Sequence, residues 1–215
     1  MPREPLYRGA VLLGRALFRA LDLQRVIRGG EQLDRPGGAV LALTHFGYLD
    51  FALAEWAVHR RTKRLIRFLA TARAFEHRLA GPLLRGMRHI PVERTAGAPA
   101  YQHAVAALRA GELVGIFPEG QVNANDVGAL KTGAVRMAAE AGVPILPVVV
   151  WGGQRILTKG RRFRLRRARH SRIVISIGAP MFPGDTPNLD VDRYTLRLHS
   201  VLRTMVQESM LSVEG

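Results

Sequence analysis

Short apolar runs alternate along the chain with longer stretches of helical spacing. Ala39 to Thr44, Leu65 to Ala70, Leu113 to Phe117 and Ile145 to Val150 have the length and composition of buried strands. His89 to Val92 is a shorter candidate. Between them the spacing predicts helices over Asp50 to Arg60, Phe75 to Arg85, Pro99 to Ala110 and Leu130 to Ala141. Pro99 suits a first helical turn, and Gly111 and Gly142 stand just past helix ends. Two basic strands follow, near Arg162–Arg167 and Arg172–Ile177, and Leu189 to Met210 closes the chain as a helix. Strands that alternate with helices predict an α/β fold: a mostly parallel, mixed sheet flanked by helices.

The N-terminus has a different pattern. Over residues 5–27, Leu6, Ala10, Leu13, Leu17, Ala20 and Leu21 fall near helical spacing, with Arg8, Arg15, Arg19 and Arg25 among them. An apolar stripe studded with arginine predicts one or two amphipathic helices lying in a membrane interface. A helix packed on its own domain is the alternative. Gly29-Gly30 and Pro36-Gly37-Gly38 mark the change of pattern. The expected organisation is therefore an N-terminal amphipathic, membrane-associating segment over 1–30 and an α/β domain over 31–215. The longest apolar runs, such as Val143 to Trp151, fall far short of the roughly 20 residues a spanning helix needs. The N-terminus also lacks the ordered regions of a signal peptide.

Composition narrows the chemistry. The chain has 215 residues, 47% of them hydrophobic, which suits one folded domain and excludes general disorder. It contains no cysteine, so disulfides, thiolate metal sites and a cysteine-bound intermediate are excluded. No serine precedes Ser171 and no G-x-S-x-G occurs, which removes a serine nucleophile elbow. Walker, H-E-x-x-H and G-x-G-x-x-G patterns are absent as well. The net charge of +15 is carried almost wholly by arginine, the lysines being Lys63, Lys131 and Lys159. Such a surface attracts polyanions, either an anionic membrane or nucleic acid. Arg161 to Arg169 holds six arginines in nine residues, with Phe163 its one aromatic. Weak aromatic interleaving argues against base stacking and favours a lipid surface. A solvated hairpin is the third reading, and no nucleic-acid partner is expected.

Two constellations carry candidate chemistry. Thr44-His45-Phe46-Gly47-Tyr48-Leu49-Asp50 falls where the first long strand ends and a helix begins, the edge where open α/β sheets place ligands. Asp50 can hold His45 through one ring nitrogen, leaving the other to take a proton from a substrate hydroxyl. Asp50 as a helix cap is the competing reading. The second constellation is phosphate-sized. Phe117-Pro118-Glu119-Gly120 ends another strand, and Arg88 and Arg94 flank a third in GMRHIPVER at 86–94. Lys131 opens the helix after the 121–129 loop. Guanidinium, ammonium and helix-end amides together suit a phosphate.

Taken together these segments resemble the glycerolipid acyltransferase family of the 1-acylglycerol-3-phosphate type. Its four blocks appear in order: THFGYLD at 44–50, GMRHIPVER at 86–94, FPEG at 117–120 and VPILPV at 143–148. KTGAVRMA at 131–138 extends the likeness. The resemblance implies an α/β enzyme without a metal or bound cofactor. It would take a fatty acyl group from acyl-CoA or acyl-carrier protein and transfer it to a lysophospholipid, at the inner face of the cell membrane. His45 would be the base and Asp50 its partner. Arg94 would bind the acceptor phosphate, and Glu119 and Gly120 would shape the acceptor site. Val143, Pro144, Ile145 and Pro147 would line the acyl side. Two departures bear on the acceptor. The third block commonly continues Thr-Arg-Ser, whereas here it reads Gln121-Val122-Asn123. A lysine frequent after the second long strand is Thr71, with Arg73 nearby as its substitute. Another lysolipid, or glycerol-3-phosphate, is the alternative acceptor.

Overall fold

A computed structural model describes residues 9, 16, 19, 22–78, 80–93, 96–123, 126–156 and 171–214. Seven strands form one sheet: β1 (Gln24–Arg28), β2 (Ala39–Leu43), β3 (Ile66–Thr71), β4 (Ile90–Val92), β5 (Leu113–Ile116), β6 (Ile145–Trp151) and β7 (Arg172–Ile177). Their order is β1-β7-β6-β2-β5-β3-β4. Every pairing is parallel except β6 with β7. The helices are α1 (Asp50–Thr62), α2 (Ala72–Glu76), α3 (Ala80–Gly86), α4 (Ala98–Arg109), α5 (Gly133–Ala141) and α6 (Val191–Glu214). The expected mixed α/β sheet is present.

The central strands are apolar throughout because both faces are covered. Alternate residues of β2 go to opposite cores. Val40 and Ala42 join the cluster built with α4, α5 and α6, whereas Leu41 and Leu43 join the one under α1. Every residue of β2 and β6 is buried.

Connectivity creates a crevice. From β2 the chain passes through α1 to β3, stepping over β5. From β5 it passes through α5 to β6, stepping over β2 in the other direction. Adjacent strands that send the chain to opposite sides open a gap at their C-terminal ends. His45 and Glu119 both follow strands at that gap.

Several boundaries differ from the periodicity. Most of the expected N-terminal amphipathic segment, and the basic strand near 162–167, lie outside the described residues. Within the segment, Gln24–Arg28 is a strand and not a helix: it pairs in parallel with β7. Val26 and Ile27 suit a pleated edge, and Arg25 and Arg28 charge it against further pairing. The sheet therefore begins before residue 31. The helix expected over Phe75–Arg85 is two helices broken at His77, whose backbone is extended. Pro82 has no N–H for a continuous helix, and restarting at Ala80 leaves it in a first turn.

The β3–β5 junction is also the floor of the crevice. A Cβ on Gly115 would lie 2.6 Å from the Phe68 ring, so glycine there admits that ring beside β5. Phe68 in turn donates its backbone N–H to His89 Nδ1 at 3.1 Å. His89 Nε2 is buried without a partner among the described residues. Burial lowers the His89 pKa from 6.5 to about 4. A folded pKa below the unfolded value means stability is fully present above pH 6.5. It is lost as pH falls from 6.5 toward about 4, by about 3 kcal/mol in all. Urea unfolding at pH 7 and pH 4.5 is expected to show this loss, and His89→Asn is expected to shrink the difference.

Candidate active site

Thr44, His45 and Phe46 continue β2 out of the sheet, and a tight turn at 47–49 leads into α1. Asp50 is the first residue of that helix and has no exposed surface. It does not cap the helix. Its side chain turns back, and Oδ2 accepts the backbone N–H groups of Phe46 and Gly47, both at 2.7 Å. The same oxygen lies 3.3 Å from His45 Nδ1. A carboxylate oxygen receiving two amides is an acceptor, so His45 Nδ1 carries the proton in this contact. Nε2 is then the basic nitrogen, and among the described residues nothing bonds to it. The His45 side chain keeps 19% of its surface open.

Burial pushes the Asp50 carboxyl above its usual range. The contact with His45 and the amides of Gly47 and Phe46 pull it back down. Oδ1 is buried with no hydrogen-bond partner among the described residues. A few oriented donors thus oppose the cost of burying this carboxylate.

The second long loop grips the backbone of His45 from both sides. Glu119 Oε1 accepts the His45 N–H at 3.1 Å, and the Asn123 N–H donates to the His45 carbonyl at 2.8 Å. Glu119 Oε2 accepts the Gly128 N–H at 2.8 Å and the Asn123 side-chain amide. Glu119 is only 6% exposed and both oxygens are occupied by the protein itself. Its carboxylate is therefore satisfied within the protein, and any part it has in shaping the acceptor site is through the turn it holds. Glu119 holds the catalytic turn.

Below His45 lies an aromatic stack. Its ring is 4.2 Å from that of Phe117, at 29°, and Phe117 is 5.9 Å from Phe68, at 13°. Phe51 meets Phe68 edge-on at 6.2 Å and is 40% exposed, as Tyr48 is at 44%. The mouth of the site thus carries two exposed aromatic side chains.

The remaining expected site residues divide by sheet edge. Gly120 has φ +71, and a Cβ there would lie 3.1 Å from Lys131 Nζ, so this ammonium sits over the turn after Glu119. Arg73, exposed on α2, follows β3 at the same edge. Arg94 lies outside the described residues. Arg88 is a correction. It precedes β4 and pairs at 3.8 Å with Glu112, which precedes β5, so both sit at the opposite edge from His45. The acyl-side residues are a second correction. Val143 and Pro144 stand at the N-terminal edge, while Ile145 and Pro147 are buried in β6. Ile145 pairs with Val40, roughly 16 Å along the strand from the level of His45. A strand entering the sheet cannot present these residues to a crevice at its exit.

Asn123, Gly128, Phe68 and Phe117 were missed as site-builders. Only the position of Phe117 beside Glu119 in FPEG hinted at the stack; the others depend on loop closure across the sheet.

A base held by a buried carboxylate at a switch point, with no serine or cysteine beside it among the described residues, is an arrangement suited to activating a hydroxyl of a substrate. The chain belongs to the acyltransferase family, whose model matches residues 24–151. It is 27% identical over 199 residues to the 1-acyl-sn-glycerol-3-phosphate acyltransferase of Bacillus subtilis, covering 88% of this chain and 92% of that one. Its fold is similar to the crystal structure of the 1-acyl-sn-glycerophosphate acyltransferase PlsC from Thermotoga maritima. The TM-score is 0.74 at 22% identity, over 94% of this chain and 78% of that one. The protein is an acyltransferase.

Asp50→Asn keeps the side chain's shape and removes both the buried charge and the preference for Nδ1–H. We predict a fall in kcat of about 10²–10⁴-fold. The denaturation midpoint is expected to hold or rise, because burial of the charge is no longer opposed. A variant with normal turnover would remove Asp50 from the mechanism.

Proposed function

We propose that the protein transfers a fatty acyl group from acyl-CoA or acyl-carrier protein to the free hydroxyl of 1-acylglycerol-3-phosphate. The product is phosphatidic acid, and the reaction belongs to phospholipid biosynthesis. The observation that carries this reading is the unbonded Nε2 of a ring whose Nδ1 is held by buried Asp50. The name of the Bacillus subtilis relative supports the choice of acceptor.

His45 Nε2 takes the hydroxyl proton as the oxygen attacks the thioester carbonyl. The tetrahedral intermediate collapses, the C–O ester bond remains and the C–S bond breaks. The departing thiolate receives the proton back from the imidazolium. No acyl-enzyme forms. Lys131 and Arg73 bring positive charge to the edge where the acceptor phosphate must lie, and Arg94 is proposed to bind it directly.

The membrane surface supplies the acceptor. Tyr48 and Phe51 at the mouth, together with a net charge of +15, suit a protein held peripherally on the anionic inner face of the cell membrane. Among the described residues no helix is long and apolar enough to cross it. A different lysolipid acceptor is the second reading. It is favoured by Val122, which stands where the family commonly has an arginine, between Gln121 and Asn123, whose side-chain amides bond to each other.

Mass spectrometry of products from a panel of lysolipids, offered with each thioester donor, tests this directly. Phosphatidic acid is expected from lysophosphatidate, and His45→Ala is expected to abolish it while remaining folded. Equal turnover by His45→Ala would overturn the mechanism; a preference for another lysolipid would overturn the acceptor.

A further inference from the structure

The grip on His45 is itself held from a distance. The loop after β5 returns along α6, where His199 Nε2 lies 3.1 Å from the Val127 carbonyl. A carbonyl only accepts, so Nε2–H of His199 donates. The Val127 side chain is 5% exposed and belongs to the same buried cluster as Leu198 and Leu202, the neighbours of His199 on α6. One residue on, Gly128 gives its N–H to Glu119 Oε2, and Glu119 Oε1 receives the N–H of His45. Gly128 is pressed hard against this carboxylate: a Cβ would meet Asn123 Nδ2 at 2.6 Å and Glu119 Oε2 at 3.3 Å. An ion pair between Arg203 and Asp126, at 3.4 Å, joins α6 to the loop at a second point but is largely exposed and so weak.

We propose that His199 is a positioning residue for the reaction, a latch on α6 that acts through Val127–Gly128 and Glu119 to hold the backbone of His45. The His45 N–H has Glu119 Oε1 as its acceptor, and Glu119 Oε2 is shared by the Gly128 N–H and the Asn123 side-chain amide, so Gly128 supplies one of the two contacts that aim the carboxylate. Release of Val127 leaves Gly128 free to move away from Glu119, and Glu119 then loses one of the contacts that aim its other oxygen. The His45 ring is the end of that chain. A displacement of the base by a fraction of an ångström lowers turnover without removing any group that touches substrate.

This inference rests on the acyl-transfer reading for its consequence but not for its geometry, and the experiment separates the two. Amide hydrogen exchange at Gly128 and His45 needs neither donor nor acceptor. In His199→Leu both amides are expected to exchange faster than in the wild-type protein, with kcat lower by about 10- to 100-fold and the acceptor KM changed little. His199→Gln, which keeps an N–H donor, is expected to recover most of both. His199→Ala serves the same comparison if the leucine variant is unstable. Unchanged exchange at His45 in a folded variant lacking the donor would overturn the latch, even if acyl transfer stands. Faster exchange with undiminished turnover would overturn its catalytic consequence. A loss of melting temperature without either effect would reduce His199 to a packing contact and likewise overturn the proposal.

Discussion

A carboxylate with no exposed surface is costly to keep, and Asp50 has only a few donors to offset the loss of water. Its Oδ2 collects the N–H groups of Phe46 and Gly47 and the ring of His45, and its Oδ1 has no donor among the described residues. Those three contacts fix everything that follows. The two amides close the turn between β2 and α1, so the helix starts where it must for Leu53, Ala54, Ala57 and Val58 to cover Leu41 and Leu43. The third contact selects the tautomer of His45 and turns its basic nitrogen outward. Local folding and catalytic competence thus share one oxygen atom. Burial raises the Asp50 pKa, and the His45 contact and the two amides oppose that rise.

The sheet supplies the place and the second loop supplies rigidity. Because β2 and β5 send the chain in opposite directions, the two turns that follow them face each other across the crevice. Glu119 crosses that gap to the His45 N–H, and Asn123 meets its carbonyl from the same loop. A residue held at its side chain by one turn and at its backbone by another has little freedom left. The stacked rings of Phe117 and Phe68 close the remaining side. Such preorganisation matters in the proposed reaction, because a general base must be in place as the hydroxyl attacks.

Much of this was legible in the sequence, and the parts that were not share a cause. Apolar runs with β-branched residues located β2, β5 and β6 to within a residue or two, because strands buried on both faces leave a continuous signal. His45 and Asp50 were recognisable as a pair because their contact spans five positions. Arg88 and Arg94 looked alike, being on either side of one short strand. Only the parallel direction of β4 shows that Arg88 leaves by the far edge, where Glu112 pairs with it. The same direction argument removes Val143 and Pro144 from the crevice. Glu119 stands out in FPEG as a carboxylate in a turn, but only its amide donors show that it is satisfied within the protein. Gly128 and His199 left no local pattern at all; each acts on a residue far away in the chain. β1 was hidden for the same reason, since its strand character comes from pairing with β7 and the five residues alone also fit a helix.

Everything in the site turns on Asp50 holding His45 with its proton on Nδ1 and its lone pair on Nε2. Nitrogen-15 NMR of imidazole-labelled protein, at a pH where the His45 ring is neutral, reads this directly. A protonated Nδ1, coupled to a proton sheltered from solvent exchange, and an unprotonated Nε2 are expected. A neutral ring with its proton on Nε2 would contradict this, because that nitrogen could not then accept a proton from the attacking hydroxyl.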